Sequence, residues 1–254
     1  MAVVTTTFPS LRPGGEPQPL AAAVLWAIAR DVRRQICGGL WAKPLSAGDL
    51  IRRVSRLAVN GVRLTVLWDG ENEIHDDDGN PVAGVCETDP DSPGTVFLSL
   101  NPAVVGDHPT LAASTAAHEL GHAIFDGPAS VLASQRLFRD VVVDEGHFEG
   151  GGPRDDRHWS EYRANEFMGG LLAPPDLLHR AMVIRARQLD IALVRAGGHA
   201  GKPGYPVIDG GQWTDFQQDA LLDDLAETFG LSAVFLWVRL NKYRLVAGQG
   251  RGRG

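Results

Sequence analysis

The sequence has 254 residues, of which 44% are hydrophobic and 22% charged, and its net charge is -7 at pH 7. These are ordinary values for a soluble globular protein that is long enough to form its own hydrophobic core. The acidic balance disfavours binding to nucleic acid or to a membrane surface over a broad area. The chain has only two cysteines, Cys37 and Cys86, too few for a secreted disulfide framework, which favours a reducing compartment. We therefore expect a cytoplasmic protein.

The N-terminal region lacks the pattern of a targeting segment. Its longest apolar run, at 20–29, has about half of the length that a membrane-spanning helix requires. The run follows a Pro- and Gly-rich stretch, so we predict a flexible segment at 1–19. Apolar residues continue at helical spacing through Val32 and Ile36, and this pattern predicts an amphipathic helix over 20–36 rather than a signal peptide.

The next part of the chain combines helix and strand patterns. A helix is expected over 47–59, with Ser46 available as its N-cap. Apolar residues that alternate from 62 to 68 predict a strand, and two more strands are expected at 82–87 and 95–100. The remaining predicted elements are helices from 110 onward and at 129–139, 158–172, 175–196, 214–229 and 232–243.

This order of elements predicts an α+β fold with a small sheet and a helical C-terminal extension. We expect one globular domain over 20–196, followed by a Gly-rich linker at 197–211. The helical extension is expected to span 212–246. The last residues, 247–254, are predicted to be a disordered tail.

The segment 118–122, with the sequence HELGH, is the candidate site of chemistry. If it is helical, His118 and His122 project from one face one turn apart, and two neutral imidazoles at this spacing can bind one zinc ion. Glu119 is rotated by about 100° around the helix from His118, so its carboxylate is expected to reach the metal-bound water rather than the metal ion. This is the position of a general base. The small residues at 115–117 leave room for a buried active-site helix.

A motif of this kind can also arise by chance, because the chain contains eight histidines. A random HExxH is expected on the order of one time in a hundred in such a sequence, so a third ligand is needed to support the site. The metzincin class, which has Gly and His at fixed positions after the motif, is excluded because Phe125 and Pro128 occupy those positions. Asp126, one turn beyond His122, is interpreted as a helix-end residue rather than a ligand.

A predicted helix further along the chain offers a third ligand. Glu161 and Asn165 form an i, i+4 pair on one face of this helix, which would place a carboxylate ligand beside an amide able to hydrogen-bond a ligand imidazole. His147 and His158 are the alternatives, although His158 can instead contact a substrate. We favour Glu161 because two histidines and one glutamate leave the open position that a catalytic zinc ion needs.

Together these elements resemble the ImmA/IrrE family of zinc peptidases. HELGH is followed at 161–167 by the pattern ExxANxF and at 171–174 by LLxP. Residues 225–232 are similar to the beginning of the family's closing helices. The resemblance covers about residues 45–245, and it is most specific at the two metal-binding elements.

The resemblance implies a zincin-like peptidase core in which His118, His122 and Glu161 bind Zn²⁺ and Glu119 is the catalytic base. It also implies an intracellular regulatory target, such as a helix-turn-helix transcriptional repressor, and we expect no nucleic-acid or membrane partner. The alternative is a non-catalytic module in which zinc stabilises the fold and a regulatory protein is sequestered. Glu119 argues against that alternative, because a structural zinc site needs no base and is usually closed by four protein ligands.

Two further segments have open interpretations. Residues 222–245 have helix-turn-helix character with a few basic residues, but so short a basic cluster in an acidic chain favours packing against the peptidase domain or a protein partner over DNA binding. A Gly- and Asp-rich insertion at 144–157 joins the two predicted ligand helices. It either controls substrate access or is a solvated connector without a role.

Overall fold

A computed structural model of the chain divides it into two compact units, Met1–Leu172 and Ala173–Gly254. The structure describes residues 3–8, 18–40, 42–76, 78–89, 91–132, 139–141, 156–197 and 204–248. The predicted linker at 197–211 lies inside the second unit. Within the described residues, no helix combines the length and the apolar character that crossing a membrane requires.

Five predicted segments lie partly outside the described residues. These parts are 1–2 and 9–17 of the N-terminal segment, 133–138 of the helix predicted at 129–139, 144–155 of the insertion, 198–203 of the predicted linker and 249–254 of the tail. Within the N-terminal segment that the sequence predicts to be flexible, residues 4–6 form a strand.

Among the described residues of the first unit, six strands form a mixed sheet. They are β1 (Val4–Thr6), β2 (Arg56–Val59), β3 (Val62–Asp69), β4 (Gly84–Thr88), β5 (Thr95–Leu100) and β6 (Arg139–Val141). Their order across the sheet is β1-β2-β3-β5-β4-β6. The pairs β1–β2 and β3–β5 are parallel, while β2–β3, β4–β5 and β4–β6 are antiparallel. The strands predicted at 62–68, 82–87 and 95–100 are therefore confirmed, with small shifts at their ends.

The helix predicted over 47–59 is shorter than the sequence indicates. It begins as predicted, with Ser46 as N-cap and a reciprocal capping box between Ser46 and Asp49, but it ends at Arg53 as α2 (Ala47–Arg53). Residues 56–59 form β2 because the turn at Asn60 and Gly61, with φ angles of 49° and 85°, folds them back onto β3. Positive φ at both residues is typical of the two-residue turns that match strand twist.

Helices α1 (Ala22–Cys37), α3 (Pro102–Val105), α4 (Pro109–Phe125), α5 (Gly127–Leu132) and α6 (Asp156–Leu172) complete the first unit. The central helix α4 packs against β4 and β5 on one side and against α6 on another, and α6 packs in turn against α1. The helix predicted at 129–139 overlaps α5 up to Leu132, its residues 133–138 lie outside the described residues, and residue 139 begins β6.

The end of α6 is fixed by a buried cation. Arg33 of α1 has no exposed surface and donates a hydrogen bond to the carbonyl oxygen of Leu171 at 2.6 Å. Carbonyl groups in the last turn of a helix have no partner within the helix, and a positive charge is favourable there. A tight crossing lies nearby, since a Cβ atom on Gly170 would lie 3.0 Å from Cα of Trp26. These contacts position the C-terminal end of α6 against α1.

In its described residues, 173–197 and 204–248, the second unit combines three helices with a small sheet. Its elements are α7 (Pro175–Gln188), β7 (Leu193–Ala196), β8 (Tyr205–Asp209), α8 (Asp215–Phe229), α9 (Ala233–Lys242) and β9 (Val246–Ala247). The strands lie in the order β7-β8-β9, with β7–β8 antiparallel and β8–β9 parallel. The helix predicted over 175–196 thus ends at Gln188, and the segment predicted as a Gly-rich linker contains β8. The backbone hydrogen bonds that pair β7 with β8 and β8 with β9, which a local pattern does not reveal, account for both differences.

The two C-terminal helices agree with their predicted positions. Thr214 and Ser232 cap α8 and α9 through their side chains, and α8 ends at Gly230 in the left-handed conformation with φ of 65°. The predicted α+β class, with a small sheet and C-terminal helices, is confirmed.

Candidate metal centre

Helix α4 carries the HELGH segment in the centre of the first unit. Pro109 lies at the start of the helix, and every residue from Thr115 to Phe125 is buried. The side chains of His118 and His122 lie one turn apart, and each residue is only 1% exposed. Their Nε2 atoms are 3.0 Å apart, so the two imidazoles face the same point.

Helix α6 brings Glu161 to that point. Its Oε2 lies 3.4 Å from Nε2 of His118, and its Oε1 lies 3.5 Å from Nε2 of His122. The three side chains each offer a ligand atom within 4.8 Å of the other two. In the part of the chain that the structure describes, no other group of three His, Cys, Asp or Glu residues meets this criterion.

The spacing of these donor atoms suits a small metal ion. Zinc binds imidazole nitrogen and carboxylate oxygen at about 2.0–2.2 Å, and tetrahedral geometry then places neighbouring ligand atoms about 3.3–3.6 Å apart. The observed separations of 3.0, 3.4 and 3.5 Å lie close to this range. His118, His122 and Glu161 can therefore hold a metal ion.

The charge state of Glu161 is also suited to a ligand. Burial raises its pKa, but the hydrogen bond from His118 and the charges of His118 and His122 outweigh burial and hold the pKa below its ordinary value. A carboxylate must be deprotonated to bind a metal ion. The surroundings of Glu161 favour that form.

The outer nitrogen of His122 contacts a second carboxylate. Asp126, the C-cap residue of α4, has its Oδ2 3.1 Å from Nδ1 of His122. Ser160 Oγ donates a hydrogen bond to the same oxygen at 2.6 Å, and Arg163 Nη2 donates to Oδ1 at 2.6 Å. Burial raises the pKa of Asp126, but its hydrogen bond with His122 and the charge of Arg163 lower the pKa to about 2. Asp126 is thus an ionised, half-buried group as well as a helix-end residue.

Glu119 lies between α4 and the sheet. It has no exposed surface, and its Oε1 would be 3.1 Å from a Cβ atom placed on Gly84 of β4. The same Cβ atom would be 2.5 Å from Cγ2 of Thr115 and 3.0 Å from the carbonyl oxygen of Ser99. Only glycine at position 84 therefore leaves room for the Glu119 carboxylate beside β4.

The other sequence candidates are distributed around this centre. His158 is exposed on α6, and Asn165 is half-buried one turn after Glu161. Their predicted roles, substrate contact for His158 and ligand support for Asn165, stay predictions. His147, the other alternative for the third ligand, lies outside the described residues.

Sequence reasoning missed Ser160, Arg163 and Gly84, and it interpreted Asp126 only as a helix-end residue. The His122–Asp126 pair has a readable i, i+4 spacing, which could have indicated a contact between them. Ser160 and Arg163 flank Glu161 in the sequence, but their contact with Asp126 depends on how α4 and α6 cross. Gly84 gave no signal, because its role depends on the distance between β4 and α4.

The fold and the site define an α+β protein with a buried His-His-Glu group that can hold a metal ion. Comparison with protein-family models, with curated proteins and with solved structures gave no match. The likeness to zinc peptidases therefore rests on the motif residues and on the geometry that brings them together.

Proposed function

We propose that this protein is a zinc-dependent metallopeptidase of the ImmA/IrrE type. The observation that carries the proposal is the fully buried Glu119, which directly follows the ligand His118 on α4. Burying a carboxylate costs free energy, and a site that binds a metal ion only for stability does not require a carboxylate at this position. A base beside two histidines and a glutamate supports a catalytic role.

The chemistry follows from the residues of the site. A bound zinc ion would supply Lewis acidity, which polarises a peptide carbonyl and lowers the pKa of water. The carboxylate of Glu119 takes a proton from the attacking water molecule and delivers it to the nitrogen of the leaving amine. General acid–base catalysis of this kind typically contributes about 10²–10⁴-fold. His118, His122 and Glu161 would hold the ion, and three protein ligands are the number typical of catalytic zinc sites.

We infer from the family resemblance that the substrate is a cytoplasmic regulatory protein, such as a helix-turn-helix repressor. The net charge of -7 supports a protein rather than a nucleic acid as partner. The surface of α8 also disfavours a nucleic acid as partner, because it exposes four acidic residues: Asp215, Asp219, Asp223 and Glu227.

The substitution Glu119→Gln tests the catalytic role, with Glu166→Gln as a matched control. Glu166 is also a buried glutamate, but it accepts a hydrogen bond from Trp26 at 2.7 Å and lies outside the ligand group. We expect Glu119→Gln to retain zinc. Its rate of cleavage of a quenched fluorescent peptide library should be at least about 10²-fold lower than that of wild type. Glu166→Gln should retain both properties. Equal cleavage by wild type and Glu119→Gln would contradict the proposal.

The substrate class needs a separate experiment. New protein N-termini are compared between cells that express wild type and cells that express Glu119→Gln. We expect cleavage products of transcriptional regulators only with wild type. Wild type that binds zinc but generates no new N-termini would instead favour the non-catalytic module.

A further inference from the structure

The carboxylate of Asp126 lies at an unfavourable end of its helix. It is the C-cap residue of α4, and a negative charge there opposes the helix dipole. Its side chain is only 14% exposed, so solvent does not compensate for this position. The compensation comes from Arg163, whose guanidinium donates to Oδ1 and is itself 6% exposed. Helix capping alone does not explain why a half-buried anion and a buried cation are placed here.

The hydrogen bonds around His122 determine which ring nitrogen carries the proton. Nδ1 lies 3.1 Å from Asp126 Oδ2 and 3.1 Å from Ser160 Oγ. Ser160 directs its own hydroxyl proton to Asp126, so both neighbours present acceptor lone pairs to Nδ1. Nδ1 must therefore be the donor, so Nε2 is the unprotonated nitrogen that carries the lone pair. That is the nitrogen that faces His118 and Glu161.

The same turn of α6 supplies a ligand and the groups that hold Asp126. Glu161 points to the two histidines, while its neighbours Ser160 and Arg163 both bind the Asp126 carboxylate. One helix crossing thus sets the position of the carboxylate ligand and the orientation of the His122 ring. A change in that crossing would alter both at once.

We propose that Asp126 is a positioning residue that fixes the tautomer and ring orientation of His122, and that Ser160 and Arg163 hold it in place for that task. This inference rests on the proposed function only in taking His122 as a metal ligand. Partners of this kind typically contribute about 10–100-fold to metal affinity or activity.

The substitution Asp126→Asn removes the charge with little change of shape. An amide cannot satisfy the site in either orientation, because its NH₂ group would face the donors of Arg163 or the donors of His122 and Ser160. We expect zinc affinity, measured by competition with a chromophoric chelator, to fall about 10–100-fold. Ser160→Ala, which removes one donor and folds more readily, should show the same change to a smaller extent.

A spectroscopic measurement separates positioning from a purely structural role. In metal-free protein with ¹⁵N-labelled histidine, the His122 ring should carry its proton on Nδ1 in wild type and shift toward the Nε2–H form in Asp126→Asn. The control is Trp26→Phe, which removes the 2.7 Å hydrogen bond to Glu166 on the same helix α6. It should lower the melting temperature without changing the tautomer or the zinc affinity.

The outcomes distinguish this inference from the proposed function. The positioning role would be overturned if Asp126→Asn and Ser160→Ala changed neither the ¹⁵N chemical shifts of the His122 ring nor the zinc affinity. If wild type binds zinc without cleaving peptides, the peptidase proposal fails, while the tautomer and the zinc affinity still test Asp126.

Discussion

A Cβ atom on Gly121 would lie 2.9 Å from Cα of Ala164, which is closer than carbon atoms approach in folded proteins. Gly121 belongs to the HELGH segment of α4, and Ala164 follows Glu161 by three residues on α6. The glycine therefore allows the two helices to approach closely at the level of the metal ligands. It connects the helix crossing directly to the geometry of the site.

We predict that Gly121→Ala separates α4 from α6. The added methyl group meets backbone, which cannot rotate away, so overpacking should lower the free energy of unfolding by about 1–3 kcal/mol. Zinc affinity should fall as well, because Glu161 moves away from the histidines. Thermal unfolding and zinc competition measure the two effects.

The control for this change is Gly39→Ala, since a Cβ atom at Gly39 has no atom within 4 Å. It should leave both measurements near wild type. A Gly121→Ala variant with wild-type stability and wild-type zinc affinity would show that the close approach is not needed.

The local parts of the site could be predicted from the sequence. His118 and His122 are one turn apart in any helix, and Pro109 with the small residues after it favours a helix here. Glu161 was a prediction with two alternatives, and its convergence with the histidines depends on an approach that the spacing does not encode. Gly121 permits that approach, but a glycine inside HExxH has no unique interpretation before its neighbour across the crossing is known.

The errors in the fold prediction have a common physical cause. Residues 56–59 were assigned to a helix because the strong cap at Ser46 marks where a helix begins but not where it ends. Strand β7 is predicted as helix and β8 as linker because the hydrogen bonds that pair β7 with β8 and β8 with β9 are not visible in the local sequence pattern. Tertiary pairing overrides local propensity in each of these segments.

Purified wild-type protein should contain about one zinc ion per chain, and His122→Ala should abolish it, because two remaining ligands hold zinc poorly. At a zinc concentration of about 100 times Kd, bound zinc stabilises the fold by about 2.7 kcal/mol, so a chelator should lower the melting temperature of wild type but not of the variant. His179→Ala is the matched control, since His179 contacts the carbonyl oxygen of Pro206 in the second unit. Full zinc content in His122→Ala would refute the ligand assignment.

We expect Glu161→Ala to weaken zinc binding, while Glu161→Asp keeps zinc in an altered position with reduced activity. The reason is the placement of the two carboxylate oxygens 3.4 and 3.5 Å from the histidine nitrogens, which a shorter side chain cannot reproduce. Zinc content and peptide cleavage are measured together. If His147→Ala or His158→Ala removes zinc and Glu161→Ala does not, the assignment of Glu161 as the third ligand is wrong.

The capping box of α2 should make stability depend on pH. Burial raises the pKa of Asp49, but its hydrogen bonds with Ser46 and Arg52 outweigh burial and hold the pKa below 3.8. A carboxyl group with a lowered pKa in the folded state stabilises the protein above its unfolded pKa, and this contribution is lost as the pH falls through the folded pKa.

Asp49→Ala should therefore lower the free energy of unfolding by about 0.5–1 kcal/mol at pH 7. The difference from wild type should shrink below about pH 4, near the ordinary pKa of an aspartate. Chemical denaturation of both proteins over this pH range measures the effect. A difference that stays constant down to pH 3 would contradict an ionic contribution from Asp49.

Gly84→Ala should impair catalysis more than metal binding. The new methyl group would lie 3.1 Å from Oε1 of Glu119 and 2.5 Å from Cγ2 of Thr115, whereas the ligands lie elsewhere on α4 and α6. We expect kcat for peptide cleavage to fall about 10-fold or more as the base is displaced, with zinc content unchanged. Thr115→Ser removes the closer atom, so the double variant Gly84→Ala/Thr115→Ser should recover part of the lost stability and activity. Loss of zinc in Gly84→Ala, or no recovery in the double variant, would show that β4 supports the helix as a whole rather than the position of Glu119.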